Sequence, residues 1–506
     1  MEALKLHRKI FFRKIQTDSM QKFLNERRQE IMQRKEQENQ EVIEYDFEFN
    51  DQLKNLLKLI EQSMHVSSRL THCLDSLEKF AEFLQNNFEL LLYNQQTLID
   101  ARIWDILLPP QDCIFINSLP FCLSLLDILV MIVYISPKIA DLFAQHGLIG
   151  FLRQNLSHKE DQNIQEACIL ILTALLYRDQ SYIFPVFMEL VDEGNQFKSL
   201  LSRVQPSNVT HLESLCLYLE GLVQVLNDPA HKKRAYSFLL YLAELDIVDS
   251  FLVRLFRTIL FCWKNDNSLI PSLIEHPFLL ERLVQIIENS REEFLLTVTY
   301  SILGNFVGYF DQSQAKDLCV DYVFRPPWMM KLYQACVKFL ANTHHKIPAQ
   351  AKCLFLLYNT IETCKVLNNR ENFIKIFELF LMKGPAYELR NSVDCAEEIL
   401  KLVKLILERS KIEQQIELVS MNLGALDFLF GFLVHFSQAD ISLYSLHNII
   451  IFLNIDKVIE LKLGQSVVRE YITEKNLLSR LEKSFKHPDN RVKSLASYLF
   501  REYFAE

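Results

Sequence analysis

From about Asp51 to about Phe504 the chain repeats one pattern, apolar residues at i, i+3 and i+4 in runs of about ten to fifteen positions, each closed by a short polar gap. That period predicts helices with one buried stripe. The clearest unit is LIGFLRQNL (148–156), the charged gap HKEDQN (158–163), and IQEACILILTALLY (164–177). It returns as FLLERLVQII (278–287), ENSREE (288–293) and FLLTVTYSILGNFVGYF (294–310), and again as LLSRLEKSF (477–485), KHPDN (486–490) and RVKSLASYLFREYF (491–504).

Two helices per unit, at an interval of about 40 to 47 residues, is the armadillo or HEAT pattern. Each unit leaves an apolar face that only its neighbour covers. The predicted fold is all-α: an armadillo/HEAT-type right-handed superhelical solenoid over residues 46–506, with an N-terminal basic helical arm over residues 1–45. Pro206, Pro229, Pro326 with Pro327, Pro348 and Pro385 fall between runs and read as connectors, because a residue before proline is pushed out of helical geometry. RPPW (325–328) is the strongest interruption and reads as a turn in which Trp328 anchors the next helix.

SLPFCLSLLDILVMIVYISP (118–137) has the length of a membrane span, but Asp127 near its middle would cost about 2.5 to 3.5 kcal/mol there. A helix buried between helices is the better expectation, and no membrane insertion follows from it.

Composition agrees with a solenoid. The 506 residues exceed what one core absorbs, and 10 Gly with 14 Pro leave few turns, which fits strand-rich folds poorly. A formal charge of −9 and a pI near 5.9 lack the basic footprint of a nucleic-acid partner. The 11 cysteines are scattered with no CxxC pair, and the first residues lack a signal peptide's apolar core. Reduced thiols in cytoplasm or nucleus are the expectation.

Nothing in the chain asks for catalysis. No GxxxxGK[ST], GxGxxG, GxSxG or HExxH occurs. His344 and His345 are adjacent, so a helix would point them apart. Cys395 lies among the carboxylates of DCAEE, which raise a thiol pKa rather than activate it. No enzyme activity, cofactor or metal is expected.

The first 35 residues are the compositional outlier. Lys5, Arg8, Lys9, Arg13, Lys14, Lys22, Arg27, Arg28, Arg34 and Lys35 outnumber the acids, and from Glu36 to Asp51 the sign reverses. Met20, Leu24 and Ile31 make only a thin apolar stripe, so the segment reads as an arm kept for a partner or as a solvated leader helix.

FFRKIQTDSMQKFLNERRQEIMQRKEQ resembles the importin-beta-binding arm of the importin-alpha family, with Phe12, Asp18, Met20, Asn25, Glu26, Glu30, Ile31 and Lys35 in its order and spacing. GNFVGYFDQSQ (304–314) is similar to a helix end of that family, and ITEKNLLSRLEKSFKHPDNRVKSLASYLFREYF to its last repeat. The resemblance implies a nuclear import adapter linking nuclear localisation signal cargo to importin beta, present in cytoplasm and nucleus. It implies carrier contacts at Arg13, Lys14, Arg27, Arg28, Arg34 and Lys35. It also implies a peptide groove, built in the family from a Trp and Asn ladder, that takes basic or otherwise extended segments.

The chain departs from that ladder. Its three tryptophans miss the ladder positions, where Ile169 with Thr173 and Leu217 with Gly221 fall instead. Asn305 and Asn359 survive as candidate backbone grips, with Phe355 at the Trp position before the latter. For Asn305 a capping or interhelix amide stays open, and for Phe355 a place in the core. After Met20 the family's basic run is replaced by QKFL, leaving Lys22 alone. The apolar ladder positions keep a second reading alive, a non-transport armadillo scaffold within a larger assembly.

Overall fold

The computed structural model describes residues 42–65, 69–87, 90–91, 95–109, 113–158, 161–176, 209–245, 247–312, 326–341, 347–364, 367–381, 389 and 391–505. Among these every regular element is a helix, so the all-α helical-repeat expectation holds. The candidate arm residues Arg13, Lys14, Arg27, Arg28, Arg34 and Lys35 lie outside the described residues.

The chain divides into two compact units, residues 1–236 and 237–506. The first holds α1 (Val42–His65), α2 (Leu70–Asn86), α3 (Gln95–Asp100), α4 (Ile103–Leu107), α5 (Leu119–Ile135), α6 (Pro137–Gln145), α7 (Leu148–His158), α8 (Gln162–Leu176) and α9 (Val209–Val225). Helix α10 (Pro229–Glu244) contains the division. The second unit holds α11 (Asp249–Asn265), α12 (Pro277–Asn289), α13 (Glu293–Gln312), α14 (Pro326–Leu340), α15 (Ile347–Thr363), α16 (Arg370–Leu381) and α17 (Val393–Arg409). It continues with α18 (Ile412–Met421), α19 (Gly424–His435), α20 (Ala439–Leu463), α21 (Val468–Glu474), α22 (Glu482–Phe485) and α23 (Asn490–Tyr503).

Each unit is organised around a row of helices, each packed on the next. In the first unit the row is α2, α5, α8, α9. In the second it is α11, α13, α15, α17, α20, α23. Helices α15, α17 and α20 begin at residues 347, 393 and 439, a constant interval within the armadillo and HEAT range of about 40 to 47.

The apolar segment at 118–137 is the row helix α5. Every residue from Phe121 to Ile135 is buried except Asp127. Tyr134 Oη donates to the Leu170 carbonyl on α8 at 3.0 Å, which satisfies the one polar tip that α5 carries into that contact. No single described helix is long and apolar enough to cross a membrane.

The prolines correct the connector reading. Pro229, Pro277 and Pro326 each open a helix, and Pro348 is the second residue of another. The first helical turn needs no N–H from its residues, and proline's fixed φ suits it, so these residues start helices rather than separate them. Trp328 accordingly lies half-buried in the first turn of α14. Pro206, Pro385, His344 and His345 lie outside the described residues. Gly147 sits between α6 and α7 at φ +108, a left-handed conformation that side chains rarely adopt.

All described cysteines are buried free thiols. Burial is the first cause that lifts the Cys395 thiol to about 11, with Asp394 and Glu398 adding to it and a hydrogen bond with Ser392 opposing.

Candidate peptide-binding face

The row helices of the second unit bring Phe355 and Asn359 against Gly304 and Gly308 where α13 meets α15, and Asn305 follows Gly304 on α13. Gly304 and Gly308 are one helical turn apart on α13, and this lets the two helices approach closely. A Cβ placed on Gly304 would lie 2.6 Å from Phe355 Cδ1, and one on Gly308 would lie 2.9 Å from Asn359 Nδ2. The matching pair on α15, Phe355 and Asn359, is also one turn apart, so two glycines receive a ring and an amide.

The three residues do different things there. Asn359 is 7% exposed, and its Nδ2 donates to the Gly304 carbonyl at 2.9 Å. Its amide therefore joins the two helices. Phe355 is half-buried against Gly304. Asn305 is exposed, with Nδ2 donating to the Ser301 carbonyl of its own helix at 2.7 Å. Of the three, Asn305 is the amide whose position on the surface lets it meet another chain.

The same spacing recurs two row helices later, and the sequence pattern carried it as Tyr444-x-x-x-Asn448. Asn448 is fully buried, and its Nδ2 donates to the Leu400 carbonyl on α17 at 3.0 Å and to the Tyr444 carbonyl at 2.9 Å. An aromatic residue followed four positions later by an asparagine that reaches back to the preceding row helix is thus a repeated device. Reading Phe355 and Asn359 for that spacing would have found Tyr444 and Asn448.

Between α15, α17 and α20 lies a polar and aromatic cluster. Lys401 Nζ is 2.7 Å from Glu397 Oε1 and 2.9 Å from Glu398 Oε1, and stands 5.7 Å from the centre of the Tyr444 ring. Burial alone would lower the Lys401 pKa, but hydrogen bonds to Glu397 and Glu398 outweigh it and the net shift is upward. On α15, burial and then the Glu362 carboxylate push the Tyr358 phenol up to about 12, with Tyr444 adding and Lys401 opposing.

Cations stand over rings at two further row junctions. Arg257 lies 6.0 Å from the Phe294 ring centre, between α11 and α13. Lys457 lies 4.5 Å from the Tyr503 ring centre and 2.8 Å from Glu502, between α20 and α23. The chain's own cations cover three of its aromatic faces along this row.

The first unit differs. Ile169 and Thr173 are 2% and 3% exposed, and the Thr173 hydroxyl donates to the Ile169 carbonyl at 2.8 Å. Leu217 is half-buried and Gly221 buried. These positions carry neither aromatic surface nor an amide to offer a peptide. Among the described residues no group of three or more His, Cys, Asp or Glu is placed to hold a metal ion.

No known protein family matches the chain by sequence, and no curated protein sequence matches it. Several solved structures resemble it at low identity. An engineered protein aligns at 14% identity with a TM-score of 0.45, covering 89% of this chain and 98% of its own. SYS-1 aligns at 12% identity with a TM-score of 0.38, covering 100% of this chain and 99% of its own. The karyopherin Kap121p, bound to Ste12p, aligns at 14% identity with a TM-score of 0.34, covering 89% of this chain and 54% of its own.

Proposed function

We propose that this chain is a nuclear import adapter of the importin-alpha type with an altered cargo face. The observation that carries the reading is the ordered run Phe12, Asp18, Met20, Asn25, Glu26, Glu30, Ile31 and Lys35 within residues 1–45. In this reading Arg13, Lys14, Arg27, Arg28, Arg34 and Lys35 meet an acidic surface of importin beta. Asn305 and Phe355, with Asn359 tying their two helices together, take a basic or otherwise extended cargo segment, and the protein works in cytoplasm and nucleus. Supporting it from the structure are the exposed amide of Asn305, which follows the Gly304 that packs on the Phe355 ring, and the aromatic-to-asparagine spacing repeated at Tyr444 and Asn448.

The test is fluorescence polarisation of a labelled 1–45 peptide with importin beta across a salt series, beside an Arg27→Ala, Arg28→Ala version. Saturable binding that weakens with salt and with the double substitution is expected, since charge contacts are screened beyond about 10 Å at 0.1 M salt. No binding at low salt rejects the adapter.

A second reading, a non-transport scaffold within a larger assembly, is favoured by the buried Ile169 and Thr173 and by amides at Asn359 and Asn448 that already serve neighbouring helices. A scaffold binds neither importin beta nor a basic peptide.

A further inference from the structure

We propose that the face shared by α22 and α23 docks an acidic protein segment that carries an aromatic residue. Phe485 and Phe500 receive that residue, and Lys486, Lys493 and Arg501 receive the carboxylates around it. This surface is separate from the cargo face, since α17 and α20 stand between α15 and α23 in the row.

The charge is local. Residues 475–501 carry seven Lys and Arg against two Asp and Glu, in a chain whose formal charge is −9. Several of these cations serve the fold. Arg480 donates to the Asp427 carbonyl at 3.0 Å, Lys483 to the Val434 carbonyl at 3.1 Å, and Arg491 pairs with Asp489 at 2.7 Å. Lys486, Lys493 and Arg501 do not bind a neighbouring helix in this way. Lys493 reaches the Asn490 side chain and Arg501 the Ser497 carbonyl of their own helix, each at a long 3.4 Å. Among the described residues none of the three has a carboxylate partner.

The rings lie among those cations. Phe485 and Phe500 are 36% and 40% exposed and meet edge to face, with ring centres 6.1 Å apart. At about 100 degrees per residue, Lys493, Ser497, Phe500 and Arg501 fall within about 100 degrees of arc on α23. Glu502 falls on the opposite side, 2.8 Å from Lys457. Lys486 follows Phe485 directly at the end of α22 and is exposed. Single exposed apolar residues are ordinary, whereas two rings in contact with cations at their edge match the apolar centre and polar rim of a docking patch. Positive charge without a competing carboxylate selects an acidic partner. A phosphate backbone is bound through a longer basic track than three side chains, so an acidic protein segment fits this surface better than nucleic acid.

The experiment measures binding to the full chain of a labelled peptide of alternating aspartate and serine with one central phenylalanine. The same peptide without phenylalanine, its lysine counterpart and an oligouridine are run beside it. One variant combines Lys486→Gln, Lys493→Gln and Arg501→Gln, and a second combines Phe485→Ala and Phe500→Ala. Circular dichroism checks both, so that failure of one to fold leaves the other standing. The acidic peptide is expected to bind, to weaken with salt, and to weaken about tenfold in the glutamine variant, the scale of three exposed charge contacts. Losing the phenylalanine, or the two rings, is expected to cost about fivefold. No binding of the acidic peptide, or unchanged affinity in the folded glutamine variant, overturns the proposal. So does a lysine peptide that binds as tightly. An oligouridine that binds more tightly through the same three cations would give the surface to nucleic acid and overturn the protein partner. Self-association in sedimentation that the alanine variant abolishes would give it to a second copy, with the same consequence. The arm assay with importin beta involves neither α22 nor α23, so the adapter reading and this inference fail separately.

Discussion

Asn359 Nδ2 on α15 donates to the carbonyl of Gly304 on α13 at 2.9 Å, and the same nitrogen lies 2.9 Å from where a Cβ on Gly308 would stand. One amide is thus bound to one glycine and leaves room only for a second. Asn359→Ala removes the hydrogen bond and is expected to cost about 1 to 2 kcal/mol. Gly308→Ala pushes the amide aside and is expected to cost about 1 to 3 kcal/mol. Because both changes break the same contact, the double variant should cost less than their sum, by about 0.5 kcal/mol or more. Additive losses in urea denaturation would show that Gly308 and Asn359 act independently.

Asn305 and Asn359 should separate stability from binding. Asn305 is exposed and bonded within its own turn, so Asn305→Ala is expected to change stability by no more than about 0.5 kcal/mol. If Asn305 grips cargo, that variant weakens peptide binding while its melting temperature holds. Asn359→Ala should do the reverse at saturating peptide. A binding loss confined to Asn359→Ala would reassign the contact.

The helical repeat was legible in sequence because one period governs nearly the whole chain. The units at 148–177 and 278–310 fold as the helix pairs the pattern drew. The prolines misled, since their exclusion from helix interiors does not extend to the first turn, where Pro229, Pro326 and Pro348 sit. The face itself was only half legible. Phe355 and Asn359 stood out only through the resemblance to the family's ladder, and their engagement with Gly304 depends on how closely two helices approach, which no single-helix pattern encodes. Nothing in the pattern of α17 singles out Lys401, because the ring above it comes from the neighbouring α20.

In the first unit, Tyr134 is 7% exposed and its hydroxyl ties α5 to α8 through the Leu170 carbonyl. Tyr134→Phe keeps the ring and deletes that bond, so it is expected to cost about 0.5 to 1.5 kcal/mol. Thermal denaturation followed by circular dichroism checks this. A variant as stable as the parent would mean the carbonyl loses nothing when its second partner goes.

The N-terminus of α23 should carry a pH-dependent term. Asp489 Oδ1 accepts from the Arg491 backbone N–H at 2.8 Å, and Oδ2 accepts from Arg491 Nη2 at 2.7 Å. The Arg491 side chain first, and its N–H next, hold the Asp489 carboxyl down at about 2. A carboxylate has a pKa near 3.9 in the unfolded chain, so its folded-state value is depressed. The contribution is complete above about pH 4 and is lost as pH falls from there through the folded-state value. Asp489→Ala should speed amide exchange in the first turn of α23 at about pH 6. Comparing variant and parent at each pH cancels the intrinsic pH dependence of exchange. The ratio of their rates should fall toward one as the pH approaches about 2, where the parent's carboxylate is half protonated. A ratio that stays constant from about pH 6 down to about pH 2 would show that the cap acts through shape alone, with Arg491 contributing no charge pairing to it.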